Sequence, residues 1–543
     1  MKSKVFMILL LTMALVFGTM GIAYASGTLV FGSSGDIITL DPGNLNDGQS
    51  IHVGDNIFEG LLEYEAGTTD IKPCLATSWE ISADGTEIVF KLRKEVKFHD
   101  GTDFNADAVV FSFARQYDTN HPYYQYGEWP YWGYMFGDVD RMEKIDDYTV
   151  KLVLKRPNAS IITSLAMFTV NIVSPANAEK YKEDAFKNPC GTGPFKFVEW
   201  VKDDHVTLEA NENYWRERAK LDKLIFKVIP DPSARLMALE VGEVKGIEYP
   251  NPANFDRIKA NKDLVLMTQP GMNIGFMAMN SGYGYIDANK NGVRDPDEPW
   301  VKTPGYFEPF TKKKVRQAIN MAIDKQSIVD NIYMGTAIKA KNGMPPFMLG
   351  YNDAIVDYPY DPARAKQLLA EAGYPDGFEV TLYVMPISRP YMFDPFKIGE
   401  AIQSYLAAVG ITVKFYQVDW GTYLAETEAG NHQMCLLGWT SDNGDPDSLM
   451  NVLYGANACS IGSAVNYAFY TNNTNQELLS AALATYDEEK RAAYYKKAQE
   501  MIHEDAGWVY LAHATQNIVF RSNVHGFVLH PAERYFFCPV WIE

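Results

Sequence analysis

The amino-acid sequence predicts an α/β protein of several domains, and three observations support this class. The chain has 543 residues, which is too many for a single hydrophobic core. Apolar residues make up 47% of it and aromatic residues 13%, as in folded proteins. In the second half, helical segments end at a glycine and are followed by strands, which is the alternation typical of α/β folds.

Residues 1–25 have the pattern of a signal peptide. Two lysines precede an apolar run at 5–17, and Ala23 and Ala25 supply small residues at the cleavage positions. The run is too short to span a bilayer, and no later stretch approaches about 18 uninterrupted apolar residues. The first cysteine is Cys74, so the mature N-terminus has none for lipid attachment, and we expect no membrane anchor. Cleavage before Ser26 and an exported, periplasmic protein are therefore predicted.

Charge and cysteine content limit the possible partners. The formal net charge is −19, and loss of the two lysines in the signal peptide takes it to −21. This acidity argues against nucleic acid or an anionic membrane surface as a partner. The five cysteines are few for this length, and their odd number leaves at least one thiol free, while the pairing of the others cannot be deduced. Cys435 lies within an apolar run, so we expect it to be buried.

The first half of the chain contains mainly strand patterns. A strand is predicted at 28–31, and two alternating segments at 76–81 and 87–92 flank a turn, which indicates a hairpin. A helix with a polar cap begins at Asn105, and a further strand covers 149–154. This half therefore contributes most of the predicted antiparallel structure.

The second half alternates helices and strands. Gly373 and Gly410 stop two of the helices. The predicted helices are 313–322, 361–372, 398–409 and two helices within 477–505, and the predicted strands are 378–383, 411–415, 434–437, 517–520 and 524–529.

Three aspartates crowd the loop at 438–447, directly after the apolar strand at 434–437. They are Asp442, Asp445 and Asp447. A carboxylate just beyond the end of a buried strand stands where α/β proteins usually place their ligands. The same composition also predicts an ordinary solvated turn, so the loop alone supports both interpretations.

Four motifs in the first half are together similar to family 5 extracytoplasmic solute-binding proteins, the peptide, nickel and related receptors of ABC importers. The motifs lie at 73–85, 92–101, 104–113 and 191–195. The resemblance continues through 249–253, 314–323 and 360–369, and it covers nearly the whole mature chain. It implies a binding protein that delivers its ligand to a membrane permease.

The resemblance also implies the architecture, a hinged two-lobe periplasmic-binding-protein fold with an extra α+β domain inserted early in the chain. We expect a monomer. The predicted limits are 26–57, 206–275 and 518–543 for the first lobe, 58–205 for the inserted domain, and 276–517 for the second lobe.

The charges of a short peptide define what its receptor needs. An enclosed ammonium and carboxylate both lose water, so each must find a partner, and arginine suits the carboxylate because its planar fork can bond both oxygens. The resemblance assigns the ammonium to Asp442 and the carboxylate to Arg389. Trp439, Tyr391 and Trp420 stand where they would wall the pocket. Structural roles remain open alternatives: a surface ion pair for Arg389, and core packing for the two tryptophans.

The segment 281–310 departs from the family pattern and contains a calcium-loop motif. Its oxygen donors follow the spacing of an EF-hand loop, in which Gly292 permits the sharp turn. The predicted ligands are Asp287, Asn289, Asn291, Val293 through its backbone carbonyl, Asp295 and Glu298. We expect one structural Ca²⁺ in a lone loop and no organic cofactor, with a plain acidic turn as the alternative.

Catalytic signatures are missing from the sequence. It contains no nucleophile elbow, HExxH motif, phosphate loop or CxxC pair, and its nine histidines show no metal-ligand spacing. We therefore expect a binding protein for dipeptides or short peptides rather than an enzyme. The alternatives are an oligopeptide, haem or metal-chelate receptor of the same fold, and an exported hydrolase of peptides or sugars. A hydrolase would need an activated nucleophile or paired carboxylates, for which Asp442 and Asp445 are a candidate pair.

Overall fold

The computed structural model of the protein describes residues 27–288 and 294–543. Its α/β class is as predicted. The strands in these two ranges are β1 (Thr28–Ser33), β2 (Leu62–Tyr64), β3 (Ile71–Pro73), β4 (Ala76–Ile81), β5 (Glu87–Leu92), β6 (Val139–Asp146), β7 (Thr149–Leu154), β8 (Phe195–Val201), β9 (His205–Ala210), β10 (Lys223–Val228), β11 (Gly246–Glu248), β12 (Leu264–Pro270), β13 (Asn273–Met279), β14 (Tyr283–Gly284), β15 (Val301–Lys302), β16 (Ala337–Lys339), β17 (Glu379–Tyr383), β18 (Thr412–Tyr416), β19 (Met434–Thr440), β20 (Trp508–Arg521), β21 (Val524–His525) and β22 (Trp541–Ile542).

Most of the helices begin at a side-chain cap, and several have proline in the first turn, which fits the fixed backbone angle of that residue. The α-helices of the described residues are α1 (Gly48–Ile57), α2 (Ala106–Tyr117), α3 (Trp132–Met135), α4 (Ile161–Ser164), α5 (Pro175–Tyr181), α6 (Pro232–Val241), α7 (Phe255–Ala260), α8 (Glu308–Thr311), α9 (Lys313–Ala322), α10 (Lys325–Ile328), α11 (Pro362–Glu371), α12 (Pro395–Ala407), α13 (Trp420–Glu428), α14 (Asp447–Tyr454), α15 (Asn473–Leu483) and α16 (Glu488–Asp505).

A twelve-stranded sheet runs through both lobes. Its order is β18-β17-β19-β13-β20-β11-β1-β10-β9-β8, and β12 and β16 also pair with β20. Strand β20 is 14 residues long. Its first part pairs with β13 and β16 of the second lobe, and its last part pairs with β11 and β12 of the first lobe. One strand therefore joins the two lobes.

The central strands are apolar because both faces of the sheet are covered. Every residue of β13 is buried, as is β19 from Met434 to Gly438. Such strands show a continuous apolar run instead of an alternating pattern. The second lobe has its core on these strands and on α9, α11 and α12, which pack against the sheet.

The inserted domain has its own sheet and core. Strands β4, β5, β7 and β6 form an antiparallel sheet in that order, and the predicted hairpin and the strand at 149–154 have the predicted bounds. Helix α2 packs on β6 and β7. The buried residues of this domain form a cluster separate from those of the two lobes.

Two predictions about strands need correction. Strand β8 falls within the range 58–205 predicted for the inserted domain, yet it pairs with β9 in the large sheet, which places it in the first lobe. The strand predicted at 524–529 is limited to the two residues of β21, because only these pair with β22. The other domain limits stay predictions.

All five cysteines lie in the described part of the chain, and all are free thiols. Cys435 is fully buried, as predicted, and burial raises the pKa of its thiol. The predicted signal peptide at 1–25 lies outside the described residues.

Candidate ligand-binding cleft

The acidic loop begins where strand β19 ends, at Thr440. Residue Gly438 of β19 lies opposite Gly275 of β13. A Cβ at position 438 would come within 2.3 Å of the Ile274 carbonyl oxygen and 2.3 Å of the Tyr391 ring. Glycine is therefore required here, because the backbone of β19 and the ring of Tyr391 are in direct contact.

The loop after β19 is fixed by its own hydrogen bonds. The hydroxyls of Ser441 and Ser448 lie 2.6 Å apart, and the Ser441 hydroxyl also accepts from the backbone N–H of Gly444 at 3.1 Å. The backbone N–H of Asp445 donates to the side-chain oxygen of Asn443 at 3.0 Å. These hydrogen bonds hold the backbone of the loop that carries the Asp442 carboxylate.

The inserted domain closes over this loop. The side-chain amide of Asn443 donates to Ser164 Oγ at 3.0 Å, and the Tyr64 hydroxyl donates to the Asp442 carbonyl oxygen at 3.4 Å. Farther from the loop, the Tyr486 hydroxyl donates to the Asn158 carbonyl oxygen at 3.1 Å. The second lobe and the inserted domain are therefore in direct contact beside Asp442.

The Asp442 carboxylate lies in a shielded, mixed electrostatic environment. Burial raises its pKa to about 7, although the guanidinium of Arg534 and a hydrogen bond from Tyr131 lower it, while the carboxylate of Glu533 raises it further. A desolvated carboxylate of this kind gains a strong partner if a cation binds beside it.

Arg389 stands in a tight turn after β17. Its backbone N–H and carbonyl bond to those of Met392 at 3.0 and 2.9 Å. The side chain is exposed, and its guanidinium carbon lies 5.4 Å from the centre of the Trp420 ring. Trp420 in turn stacks on Tyr423 at 5.6 Å. The structure thus brings the predicted residues Arg389 and Trp420 together.

Of the two other predicted wall residues, Trp439 belongs to β19 and Tyr391 packs against Gly438 of that strand. Tyr391 is 5% exposed, and its backbone carbonyl accepts from the Tyr333 hydroxyl at 2.9 Å. Trp439 is half-buried, and its indole N–H is shielded from solvent without meeting a hydrogen-bond acceptor among the described residues. Tyr391 therefore supports the turn of Arg389, and Trp439 offers a donor.

The first lobe contributes residues that the sequence analysis did not single out. The Tyr249 hydroxyl donates to Glu533 Oε2 at 3.1 Å. Burial raises the pKa of Glu533, and the nearby charges of His52 and Arg389 act in the opposite direction. Glu533 therefore faces Arg389 of the second lobe. Tyr249 begins the segment 249–253 that shares the family resemblance, whereas no local pattern marks Glu533, and the two residues meet only through the fold.

Buried pairs hold the segment that carries Glu533. Arg534 Nε donates to Asp55 Oδ1 at 2.7 Å. The backbone N–H of Tyr535 donates to the other oxygen of this carboxylate, Asp55 Oδ2, at 3.1 Å. The ring of Tyr535 stacks on His52 at 3.6 Å. These contacts place Glu533 and Arg534 at fixed positions in the cleft.

Comparison with known proteins agrees with this architecture. The family model of bacterial extracellular solute-binding proteins, family 5, matches residues 70–459. The chain belongs to this family. Family 5 comprises solute-binding proteins, so the resemblance inferred from the motifs is confirmed, together with the two-lobe fold.

Individual relatives of family 5 match over nearly the whole chain. The dipeptide-binding protein of Escherichia coli K12 is 36% identical over 549 residues, covering 98% of each chain. Heme-binding protein A of Haemophilus influenzae is 36% identical over 93% of this chain and 91% of its own. The structure of the periplasmic binding protein DppA from Helicobacter pylori, in complex with the peptide STSA, superposes with a TM-score of 0.83 at 34% identity, covering 96% and 99% of the two chains.

The other two aspartates of the loop serve this family 5 chain structurally. Arg491 donates to both carboxylate oxygens of Asp445, at 2.8 and 3.0 Å, and both side chains are buried. Asp447 begins α14 and accepts from the side-chain amide of Asn451. Asp445 is therefore already paired with Arg491, whereas a carboxylate pair with Asp442 would need it free.

The predicted calcium loop is only partly described. Asn289, Asn291 and Val293 lie outside the described residues. Glu298 is 8% exposed, and its two carboxylate oxygens accept from the backbone N–H groups of Ala288 and Asp295 at 2.9 and 3.0 Å. Among residues 27–288 and 294–543, no three acidic, histidine or cysteine side chains are arranged to hold a metal ion.

The described helices do not include a membrane span. None of those at 27–288 and 294–543 is both long enough and apolar enough to cross a bilayer.

Proposed function

We propose that this protein is the substrate-binding component of an ABC importer and binds dipeptides and other short peptides by their two charged ends. The observation that supports the proposal is that Asp442 and Arg389 both lie near Glu533, and that neither forms an ion pair with another described residue. In this arrangement Asp442 binds the ammonium group and Arg389 the carboxylate. The dipeptide-binding relative of 36% identity supports the ligand class.

The cleft offers a third contact for the peptide between these ends. The indole N–H of Trp439 has no acceptor among the described side chains and backbone groups, and it lies on the same strand end as Asp442. A peptide carbonyl would satisfy this donor, which otherwise stays unpaired at a cost of about 1–3 kcal/mol. Trp420 and Arg389 close the opposite side of the cleft.

Ligand binding stabilises the closed state because the ligand bridges groups that meet only on closure. Asp442 and Arg389 belong to the second lobe, whereas Tyr131, Tyr249 and Glu533 approach them from the other side. A ligand shifts an equilibrium only by its difference in affinity for the two states. The peptide gains these contacts together in the closed state, and the closed complex then docks on the permease.

Calorimetric titration with blocked peptides tests the proposal. We expect N-acetylation and C-amidation of alanyl-alanine each to weaken binding by several kcal/mol, the scale of an unpaired buried charge. Asp442→Asn should lower affinity for the free dipeptide, whereas Asp256→Asn, at an exposed aspartate of α7, should not. Equal affinity for free and blocked peptides would rule the proposal out, and tighter binding of haemin in the same assay would favour the haem alternative.

Export and assembly complete the proposal. The signal-peptide pattern of residues 1–25 supports secretion with cleavage before Ser26, and membership of an extracellular family supports a periplasmic location. We expect a monomer without membrane anchor or enzymatic activity. Mass spectrometry of the secreted protein tests the cleavage site, and size-exclusion chromatography with light scattering tests the monomer.

We also propose that the loop from Asp287 to Glu298 binds one structural Ca²⁺. Its donor spacing supports this, as does the nearly buried Glu298 carboxylate that joins the two ends of the loop. Calcium added to the EDTA-treated protein should raise the melting temperature. The shift should disappear in the double variant Asp287→Ala, Glu298→Ala, and an equal shift in both proteins would contradict a calcium site.

A further inference from the structure

Two residues of the first lobe adopt a strained backbone conformation in contact with each other. Tyr249 has φ of +46° and Glu533 has φ of +55°. This left-handed region favours glycine, and other residues persist there only when their surroundings hold them. The Tyr249 hydroxyl bonds to Glu533 Oε2 at 3.1 Å, so two strained segments meet at a carboxylate in the cleft.

One oxygen of this carboxylate lacks a partner. Glu533 Oε1 is shielded from solvent and has no hydrogen bond in the part of the chain that the structure covers. The nearest histidine is engaged elsewhere, because His52 Nδ1 lies 3.2 Å from Glu248 Oε2. The neighbouring arginine of the first lobe, Arg534, binds Asp55. The first lobe therefore leaves Glu533 available to a ligand.

The charge balance of the cleft indicates what that ligand carries. A zwitterionic peptide uses Asp442 for its ammonium and Arg389 for its carboxylate, so Glu533 must then share the charge of Arg389, which it faces, with the ligand carboxylate. A shielded carboxylate that shares its cationic neighbour with a second carboxylate is unfavourable. A second positive charge on the ligand restores the balance.

We propose that Glu533 forms a second anionic subsite in the cleft and that the protein selects short peptides with a cationic side chain, lysine or arginine. This specificity rests on the proposed function, since it assumes a peptide bound between Asp442 and Arg389. Tyr249 positions the carboxylate by its hydrogen bond to Oε2, which leaves Oε1 for the ammonium or guanidinium group of the side chain.

Titration of the full-length secreted protein with four dipeptides tests this specificity. The ligands are Ala-Lys, Lys-Ala and their counterparts with norleucine, whose side chain lacks the charge. The wild-type protein should bind at least one lysine dipeptide about tenfold more tightly or better than its norleucine counterpart, the scale of a charge-assisted hydrogen bond. In Glu533→Gln, the ratio of the affinities for the lysine dipeptide and its norleucine counterpart should fall towards one.

Two further variants separate the charge from the backbone strain. Glu533→Gly removes the carboxylate and relieves the left-handed φ, so it should fold readily and also lose the preference. Glu95→Gln changes an exposed glutamate with φ of +63° in the inserted domain, and it should retain the preference.

Each negative result has a distinct meaning. If the norleucine dipeptides bind as tightly as the lysine dipeptides, the proposed specificity is wrong, and the proposed function is unaffected. A lysine preference that persists in both Glu533 variants also overturns the subsite. Failure of all four dipeptides to bind overturns the proposed function and this inference with it.

Discussion

The side-chain amide of Asn443 donates a hydrogen bond to Ser164 Oγ of the inserted domain, at 3.0 Å and with both residues fully buried. Asn443 directly follows Asp442. The hydrogen bond therefore connects the loop that carries the Asp442 carboxylate to the inserted domain.

Breaking this bond should weaken ligand binding by destabilising the closed state. We expect Asn443→Ala and Ser164→Ala each to weaken alanyl-alanine binding by about 0.5–1.5 kcal/mol, the net contribution of a typical hydrogen bond. A double-mutant cycle measured by calorimetry should show coupling between the two positions. Strictly additive effects would mean that the contact does not contribute to closure.

Peptide affinity should depend on pH through Asp442. Its pKa is raised to about 7, so the group is largely protonated at pH 5, and binding of an ammonium then requires release of the proton. We expect affinity to fall by up to about tenfold per pH unit below pH 7. Calorimetry at pH 6 in two buffers of different ionisation enthalpy should detect proton release on binding.

The matching control for this pH dependence is Asp442→Asn, which cannot titrate at that position. Its residual affinity should vary much less between pH 5 and 7. A flat profile for the wild-type protein, or uptake of protons on binding, would show that Asp442 is not the ammonium partner.

The ion pair of Asp445 and Arg491 should contribute to stability rather than to ligand recognition. Arg491→Met leaves the buried Asp445 carboxylate without its partner, which should cost about 3–5 kcal/mol in the free energy of unfolding. Lys490→Met removes an exposed charge one residue away and should change the free energy of unfolding by less than about 1 kcal/mol. Urea unfolding monitored by circular dichroism compares the two, and equal losses would contradict the assignment.

Gly438 should tolerate no side chain. Gly438→Ala places a methyl group 2.3 Å from both the Ile274 carbonyl and the Tyr391 ring, so we expect a loss of about 1–3 kcal/mol in stability. Affinity for dipeptides should fall too, since Tyr391 supports the turn of Arg389. Gly133→Ala, where nothing lies within 4 Å, is the control in thermal unfolding and titration. A variant as stable and as active as the control would refute the close contact.

Local sequence signals were sufficient for many elements. Helix α9 and strand β7 have the predicted bounds, because a 3.6-residue apolar period and an alternating pattern mark them directly. Strand β20 was predicted only at 517–520, whereas it extends over Trp508–Arg521. Its first half is buried at nearly every position, so it lacks the alternation that identifies a strand facing solvent.

The candidate site depends less on local signals. Asp442 and Arg389 follow strands of the second lobe, but only the resemblance to family 5 assigns them roles, which stay predictions. The sequence does not predict the contact between Tyr249 and Glu533, because their left-handed backbone and their mutual hydrogen bond join segments 284 residues apart in the chain. Such a pairing is a property of tertiary structure, and no short pattern encodes it.

Strand β20 has a consequence for the order in which the protein acquires structure. It supplies hydrogen-bonded neighbours to β13 and β16 in one lobe and to β11 and β12 in the other, yet it comes only after residue 507. Neither lobe can complete its sheet on the ribosome until nearly all of the chain has been synthesised. A chain of this topology thus stays incompletely folded during synthesis, which is the condition that threading through a translocation channel requires.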